Sequence, residues 1–282
     1  MVSLPAGTGV QSALVRGSHY YTAGDYQAAL AWYQQAQDLD PTFPEVHLNL
    51  GAAWLRLGQA DSAMHYFREE IATHPERAKA YANLGSVLLL EDRPREARLN
   101  ATDAFQRQPY DILAIRVLLR SAAAETSLAA DSLLAVIDSI TNASDTNVYA
   151  MNEAGQALVT RRLLARAADV YRLAAASEPP PIEMDDAAFD RNFPNSPERW
   201  RAERAHSYFQ LGFLAGLDNR WEDAVRFNIR AITLDAASLE PHLNLVAALQ
   251  HVGRPQKADS VLQVTRQRFG DDAISRVLQQ RR

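Results

Sequence analysis

The amino-acid sequence predicts an all-α solenoid, in which about seven helical hairpins stack on one another and a short capping helix closes the stack. Three observations predict this fold. The same order of small, bulky and proline positions recurs every 34 residues, and apolar residues follow helical spacing. No stretch alternates polar and apolar residues as a half-buried strand would. Stacked hairpins of this kind bury one continuous core between neighbouring units.

The first three units follow one another in phase. Each contains a glycine, an alanine and a closing proline at the same positions: Gly17, Ala29 and Pro41, then Gly51, Ala63 and Pro75, then Gly85, Ala97 and Pro109. We expect the small residues to lie where the two helices of a unit touch. Bulky residues such as Tyr20, Trp54 and Phe67 should fill the adjacent space. The prolines end each unit because their ring cannot continue a helix interior.

These segments resemble the tetratricopeptide repeat family. Residues 24–41 (GDYQAALAWYQQAQDLDP) and 49–75 (NLGAAWLRLGQADSAMHYFREEIATHP) match its 34-residue pattern of W-x2-L-G-x2-Y, A-x3-F and a final P. The resemblance covers about 250 of the 282 residues, with decreasing fidelity along the chain. It implies a right-handed superhelix whose concave groove is lined by the first helix of each pair, and a protein or an extended peptide as the partner.

The later units fit the pattern less evenly. In the fourth unit Leu119 replaces the glycine, and the second helix is predicted near residues 128–140. A last short helix is predicted from Asp271 or Asp272 to Arg282. The predicted organisation is five repeats, an acidic proline-rich linker or flap, then two further repeats and the capping helix: 10–178, 179–198 and 199–282.

The linker has an unusual composition. Residues 178–198 carry six acids and one arginine, a net charge of −5, so the rest of the chain sums to zero. Three consecutive prolines make its start stiff and extended, yet Met184 and Phe189 are apolar for a spacer. Three alternatives stay open: an ordered flap packed on the solenoid, a partner-binding insertion, or disorder. Ser196 and Pro197 predict an early start for the next helix.

Composition excludes several classes of function. The absence of cysteine excludes disulfides, thiolate catalysis and cysteine-bound zinc. There is no basic stripe, so nucleic acid is not an expected partner. No run approaches the apolar length of a membrane span, so direct membrane insertion is not expected. The N-terminal MVSLPAGTGVQS does not look like a signal peptide, and it reads like the edge of a longer protein, so the compartment stays open. Arginine supplies 27 of the 29 basic residues, which favours a bacterial source.

The phrase HLNL occurs at residues 47–50 and 242–245, in the first helices of the second and seventh units. We predict that His47 and His242 are packing residues, because aromatic residues occupy their positions in other units. The resemblance places Asn49, Asn83 and Asn244 at a groove-facing position. An asparagine amide can donate to and accept from a peptide backbone at once. The alternative is that these asparagines serve only local hydrogen bonding.

Some members of the resembled family hold an acidic C-terminus in a clamp of five polar side chains. Asn49 and Lys79 match two of the five positions. Leu14, Ser18 and Asn83 replace the other three, and two of the three cations are lost. We therefore do not expect this clamp, because a lone lysine does not grip two carboxylates as paired cations do.

Two further pairs are candidates for partner contacts. Arg116 and Arg120 are one helical turn apart, and with Lys79 they form either a positive patch near the groove or an ordinary solvated face. Phe209 and Phe213 are also one turn apart, at groove-facing positions of the sixth unit. They are either an anchor for an apolar partner side chain or a surface that the linker covers.

No motif for catalysis is present: the sequence contains no G-x-S-x-G, H-E-x-x-H or phosphate-binding loop. We predict a non-catalytic scaffold that binds a protein or peptide in its groove, with no cofactor and no metal. The alternative is an accessory domain that docks on a larger enzyme or a membrane-anchored bacterial complex. A docking domain should present a large apolar patch on its convex side or on its linker.

Overall fold

The computed structural model describes residues 9–143, 147–177 and 197–280. Within these ranges the chain forms fifteen α-helices and no strand, which confirms the predicted all-α fold. The bounds are α1 Val10–Thr22, α2 Tyr26–Leu39, α3 Val46–Arg56, α4 Ala60–Thr73, α5 Ala78–Leu90, α6 Pro94–Arg107, α7 Ile112–Ala124, α8 Ala130–Ala143, α9 Val148–Thr160, α10 Leu164–Ala176, α11 Pro197–Leu217, α12 Trp221–Leu234, α13 Leu239–His251, α14 Pro255–Phe269 and α15 Asp271–Gln280. Residues 179–196 of the predicted linker lie outside the described residues.

The chain divides into two compact units, residues 1–143 and 144–282. The first unit contains four helical hairpins, from α1–α2 to α7–α8. The second contains three hairpins, from α9–α10 to α13–α14, followed by α15. The predicted capping helix is therefore present, and it begins at Asp271.

Three of the hairpins, the first, second and fifth, close on a contact between a glycine and an aromatic ring. A methyl group added to Gly51 would come within 2.6 Å of Cε1 of Phe67. The rings of Tyr33 and Tyr171 would be still closer to a methyl group on their own glycines, Gly17 and Gly155. Since all three rings are almost fully buried, the recurring glycine is required by the close approach of the two helices and not by a turn.

The turn inside six of the seven described hairpins uses the left-handed region. Gly58 has φ of 75°, and nothing lies within 4 Å of the place where its side chain would be. Residues at the equivalent position of five other hairpins also have positive φ: Gly24, Asp92, Arg162, Asn219 and Gly253. Arg162 has φ of 57°, a conformation that costs a non-glycine residue about 1 kcal/mol.

Two expectations need correction. The second helix of the fourth unit runs from Ala130 to Ala143 and not over 128–140. The backbone N–H of Leu128 donates to the carbonyl of Glu125, which closes a turn where a helix was expected. Tyr20, expected as a filler of the core, is 37% exposed. It lies on α1, the first described helix, so no described hairpin precedes it and covers its outer side.

The start of α11 is as predicted. This helix begins at Pro197 and has 21 residues, whereas α9 and α13 have 13 each. Proline is tolerated in the first turn of a helix because its missing N–H would have no partner there.

Candidate inner face of the first helices

The first helices of the hairpins form a row within each unit. In the first unit α1 contacts α3, α3 contacts α5 and α5 contacts α7, and in the second unit α11 contacts both α9 and α13. No contact of comparable extent joins successive second helices in the described part of the chain. Helices that also touch across hairpins lie on the inside of a curved stack. We call the solvent-facing side of α1, α3, α5 and α7 the inner face of the first unit.

Asn49 and Asn83 lie one repeat apart on this inner face. Both are half-buried, so part of each side chain meets solvent. Ala52 and Arg56 share the helix face with Asn49, while Ser86 and Leu90 share it with Asn83, because these residues are three to four positions apart. Within the described ranges neither asparagine side chain makes a hydrogen bond. Their amides are therefore available to a ligand.

Asn244 is in a different situation from its two counterparts. It is half-buried on α13 in the second unit, between the buried Leu243 and Leu245. Its side chain or backbone already has a polar partner, so it is not an open position of the same kind. The three asparagines that the repeat phase groups together thus differ in what surrounds them.

The two histidines of the HLNL phrases are buried, which confirms their predicted packing role. His47 is 6% exposed and stacks on Tyr66, with ring centroids 6.2 Å apart. His242 is 5% exposed, and its Nδ1 lies 2.9 Å from the carbonyl oxygen of Ser238. Burial lowers the pKa of His47, although the nearby carboxylates of Glu70 and Glu69 oppose this shift.

The predicted cations lie on the same row of helices as Asn49 and Asn83. Lys79 is exposed on α5, one turn before Asn83. Arg116 is half-buried and Arg120 is exposed on α7, and both have polar partners. Arg56, which the sequence argument did not single out, is exposed on α3, and its Nε donates to the hydroxyl of Tyr21 at 3.2 Å.

The predicted aromatic pair belongs to an apolar stripe in the second unit. Phe209 is half-buried and Phe213 is 42% exposed. Leu217, one turn further along α11, is 53% exposed. The ring of Phe209 lies 6.1 Å from that of His206. These side chains share one helix face, so the stripe is continuous over two turns.

Glu70 is a structural residue that sequence reasoning missed. It is fully buried on α4, and its carboxylate accepts backbone N–H groups of Glu45 and Leu48, both at 3.2 Å. The guanidinium of Arg77 lies 3.7 Å away. Glu70 thereby provides acceptors for backbone N–H groups at the N-terminus of α3, which have no partner within the helix. This is the helix that carries Asn49. The sequence contains one indication of this role. The first repeat has Ala36 at the same repeat position, so a glutamate at residue 70 departs from the small residue found there.

A cavity of about 320 Å³ in the second unit is lined by α10, α11 and the turn between α11 and α12. Its charged residues are already paired: Arg172 with Asp169 at 2.6 Å and Arg220 with Asp218 at 3.1 Å. No group of three or more metal-ligating side chains occurs in the described part of the chain. None of the helices described is both long and apolar enough to cross a membrane.

The row of first helices backed by second helices defines an all-α repeat solenoid. Residues 17–58 match the repeat model of the tetratricopeptide repeat family, and the fold is that of a tetratricopeptide repeat solenoid. Proteins of this family are generally non-catalytic interaction modules.

One curated relative is similar to part of the chain. The chain is 34% identical over 91 residues to the small glutamine-rich tetratricopeptide repeat-containing protein 2 of Mycosarcoma maydis, over 32% of this chain and 25% of that protein. The match thus spans a quarter of the curated relative. That relative is fungal, so the predicted bacterial source stays a prediction.

Two solved structures have a similar fold. The pilF protein of Pseudomonas aeruginosa is 17% identical, with a TM-score of 0.55 over 82% of this chain and 94% of that one. PilW, a type IV pilus biogenesis factor, is 15% identical, with a TM-score of 0.52 over 95% and 98%. At these identities the likeness concerns the fold alone.

Proposed function

We propose that the chain is a non-catalytic scaffold that holds an extended segment of a protein partner on the inner face of its first unit. The observation that carries this proposal is the state of Asn49 and Asn83. Both amides reach solvent on adjacent first helices, and neither is committed to a hydrogen bond in the described part of the chain. An extended backbone presents N–H and C=O groups to both amides at once.

The spacing of the helices suits an extended ligand. Neighbouring packed helices are about 8–10 Å apart, so the two asparagines on α3 and α5 stand about one such distance apart. An extended chain rises about 3.3 Å per residue, so about three residues of ligand bridge them. This matches a peptide that crosses the first helices and does not run along one of them.

The proposal is tested with a displayed library of random peptides selected on the immobilised full chain. Affinities of the selected peptides are then measured by fluorescence polarisation for the wild type and for an Asn49→Ala/Asn83→Ala variant. Loss of two hydrogen bonds at about 1 kcal/mol each should weaken binding by about 30-fold. Asn100→Ala on the second helix α6 is the matched control and should leave affinity unchanged. If no peptide is selected, or if the double variant binds like the wild type, the groove proposal is wrong.

A second candidate function is docking on a fixed protein neighbour, for which the stripe of Phe209, Phe213 and Leu217 provides an apolar surface. Replacement of Phe213 by serine should leave peptide selection on the first unit unchanged if the two surfaces act separately. Loss of selected-peptide binding in Phe213→Ser would instead place the stripe within the peptide site.

A further inference from the structure

The two helix layers of the first unit carry opposite charges. Its first helices contain five cations and no aspartate or glutamate: Arg16, Arg56, Lys79, Arg116 and Arg120. Its second helices contain eight acids and four arginines. The first layer therefore has a charge of +5 and the second a charge of −4. The chain as a whole has a charge of −5, so this segregation is local.

Several of the first-layer cations have no carboxylate partner within the described residues. Lys79 is exposed and makes no ion pair, and Arg56 contacts only the hydroxyl and ring of Tyr21. Arg16 lies over the ring of Trp32, at 4.8 Å from its centroid. The carboxylate of Glu45, one turn before Asn49, is bound by Arg77 at 3.1 Å. Glu45 thus pairs with Arg77 and not with Arg56 or Lys79.

The cations surround the two open amides. On α3 Arg56 lies two turns after Asn49, and on α5 Lys79 lies one turn before Asn83. Leu90, at the end of α5 on the same face, is 74% exposed. The inner face thus offers backbone hydrogen bonds, positive charge on both sides of them and one apolar contact.

On this basis we propose that the inner face of the first unit selects an acidic extended segment of its protein partner. This inference deepens the proposed function and rests on it. Four first helices span about 24–30 Å, which about eight extended residues cover. Acidic side chains of such a segment would meet Arg56 and Lys79 while its backbone meets Asn49 and Asn83. The arrangement differs from the five-residue clamp, because Leu14 and Ser18 occupy two of that clamp's positions.

Nucleic acid is the competing anionic partner. A duplex or single strand requires a basic surface that extends along its backbone, whereas here an acidic layer lies directly behind five cations. The half-buried amides also match a peptide backbone better than a row of phosphates, which offer only acceptors. The protein partner is therefore favoured.

The test uses the peptides selected from the random displayed library on the full chain. We expect them to contain more Asp and Glu than the unselected library, and their binding to weaken at least fivefold when salt rises from about 0.05 M to about 0.5 M. Arg56→Gln/Lys79→Gln should weaken binding about tenfold, since each exposed ion pair contributes about two- to fivefold. Arg56→Lys/Lys79→Arg keeps the charge and should bind like the wild type.

The control variant Arg68→Gln/Arg95→Gln removes the same charge from the second layer and should not change affinity. Selected peptides without acidic enrichment that still depend on Asn49 and Asn83 would overturn the acidic inference and leave the proposed function standing. A library that yields no binder overturns both the acidic inference and the proposed function. Tighter binding of a mixed-sequence single-stranded oligonucleotide, in competition with the peptides, would overturn the inference in favour of nucleic acid.

Discussion

The substitution Gly51→Ala probes the glycine–aromatic contact that closes the second hairpin and recurs in the first and fifth. The new methyl group would come within 2.6 Å of Cε1 and 2.7 Å of Cδ1 of Phe67, distances that atoms do not adopt without movement. The ring of Phe67 is fully buried among Met64, Leu84 and Leu88, so it has no free space to move into. The two helices α3 and α4 must therefore separate or the ring must leave its rotamer.

The expected magnitude combines two opposing effects. Overpacking a filled core costs about 1–3 kcal/mol. Alanine in place of glycine inside a helix contributes about 1 kcal/mol in the other direction. We expect Gly51→Ala to lower the free energy of unfolding by about 1 kcal/mol with Phe67 present. With Phe67→Leu as background, the clash is removed and Gly51→Ala should stabilise by up to about 1 kcal/mol.

The chain offers a precedent for this compensation. In the seventh hairpin Val246 stands at the glycine position and Leu262 at the aromatic position, and the two belong to one apolar cluster. The cycle of Gly51→Ala, Phe67→Leu and the double variant should therefore give a coupling energy of about 1–3 kcal/mol.

The measurement is urea unfolding by circular dichroism, joined to hydrogen exchange of α3 and α4 because stacked repeats need not unfold in two states. Equal effects of Gly51→Ala in both backgrounds would refute the contact argument.

Three further predictions concern stability. Arg162→Gly should raise the melting temperature, because glycine adopts the left-handed backbone conformation of this position without strain. The expected gain in the free energy of unfolding is about 0.5–1 kcal/mol, and a lower melting temperature would show that Arg162 is not strained. Burial lowers the pKa of His47, so the folded state binds fewer protons than the unfolded state. Wild-type stability should therefore fall as pH drops below about 6.5, and His47→Tyr should flatten this pH dependence when it is measured by urea unfolding. The carboxylates of Glu69 and Glu70 oppose the lowering of the His47 pKa, whereas His65 and His74 add to it. Glu70→Gln should cost about 1–3 kcal/mol and increase hydrogen exchange at the start of α3, whereas unchanged exchange there would deny its capping role.

The repeat phase was sufficient to predict the core but not every polar contact. It predicted that His47 and His242 are buried and that Gly51 faces a bulky residue, because these roles recur at fixed repeat positions. It did not predict the partners of Glu70. Those depend on the backbone of Glu45, which has φ of 75° and turns two N–H groups toward the carboxylate. A contact that occurs once in the stack has no periodic signal.

The charge of the first layer is hard to attribute to folding. Packing fixes the glycine, alanine and aromatic positions, but it leaves the solvent-facing positions of α3, α5 and α7 free. Helix stability alone would favour acids in the first turns, where the helix dipole is positive. Three of the four second helices follow this preference with Asp61, Glu96 and Asp131, whereas α2 and the first helices α1, α3, α5 and α7 have no acid in their first turn. The absence of acids from α1, α3, α5 and α7 themselves, beside Asp111 and Glu45 at the N-caps of α7 and α3, is consistent with the proposed acidic partner.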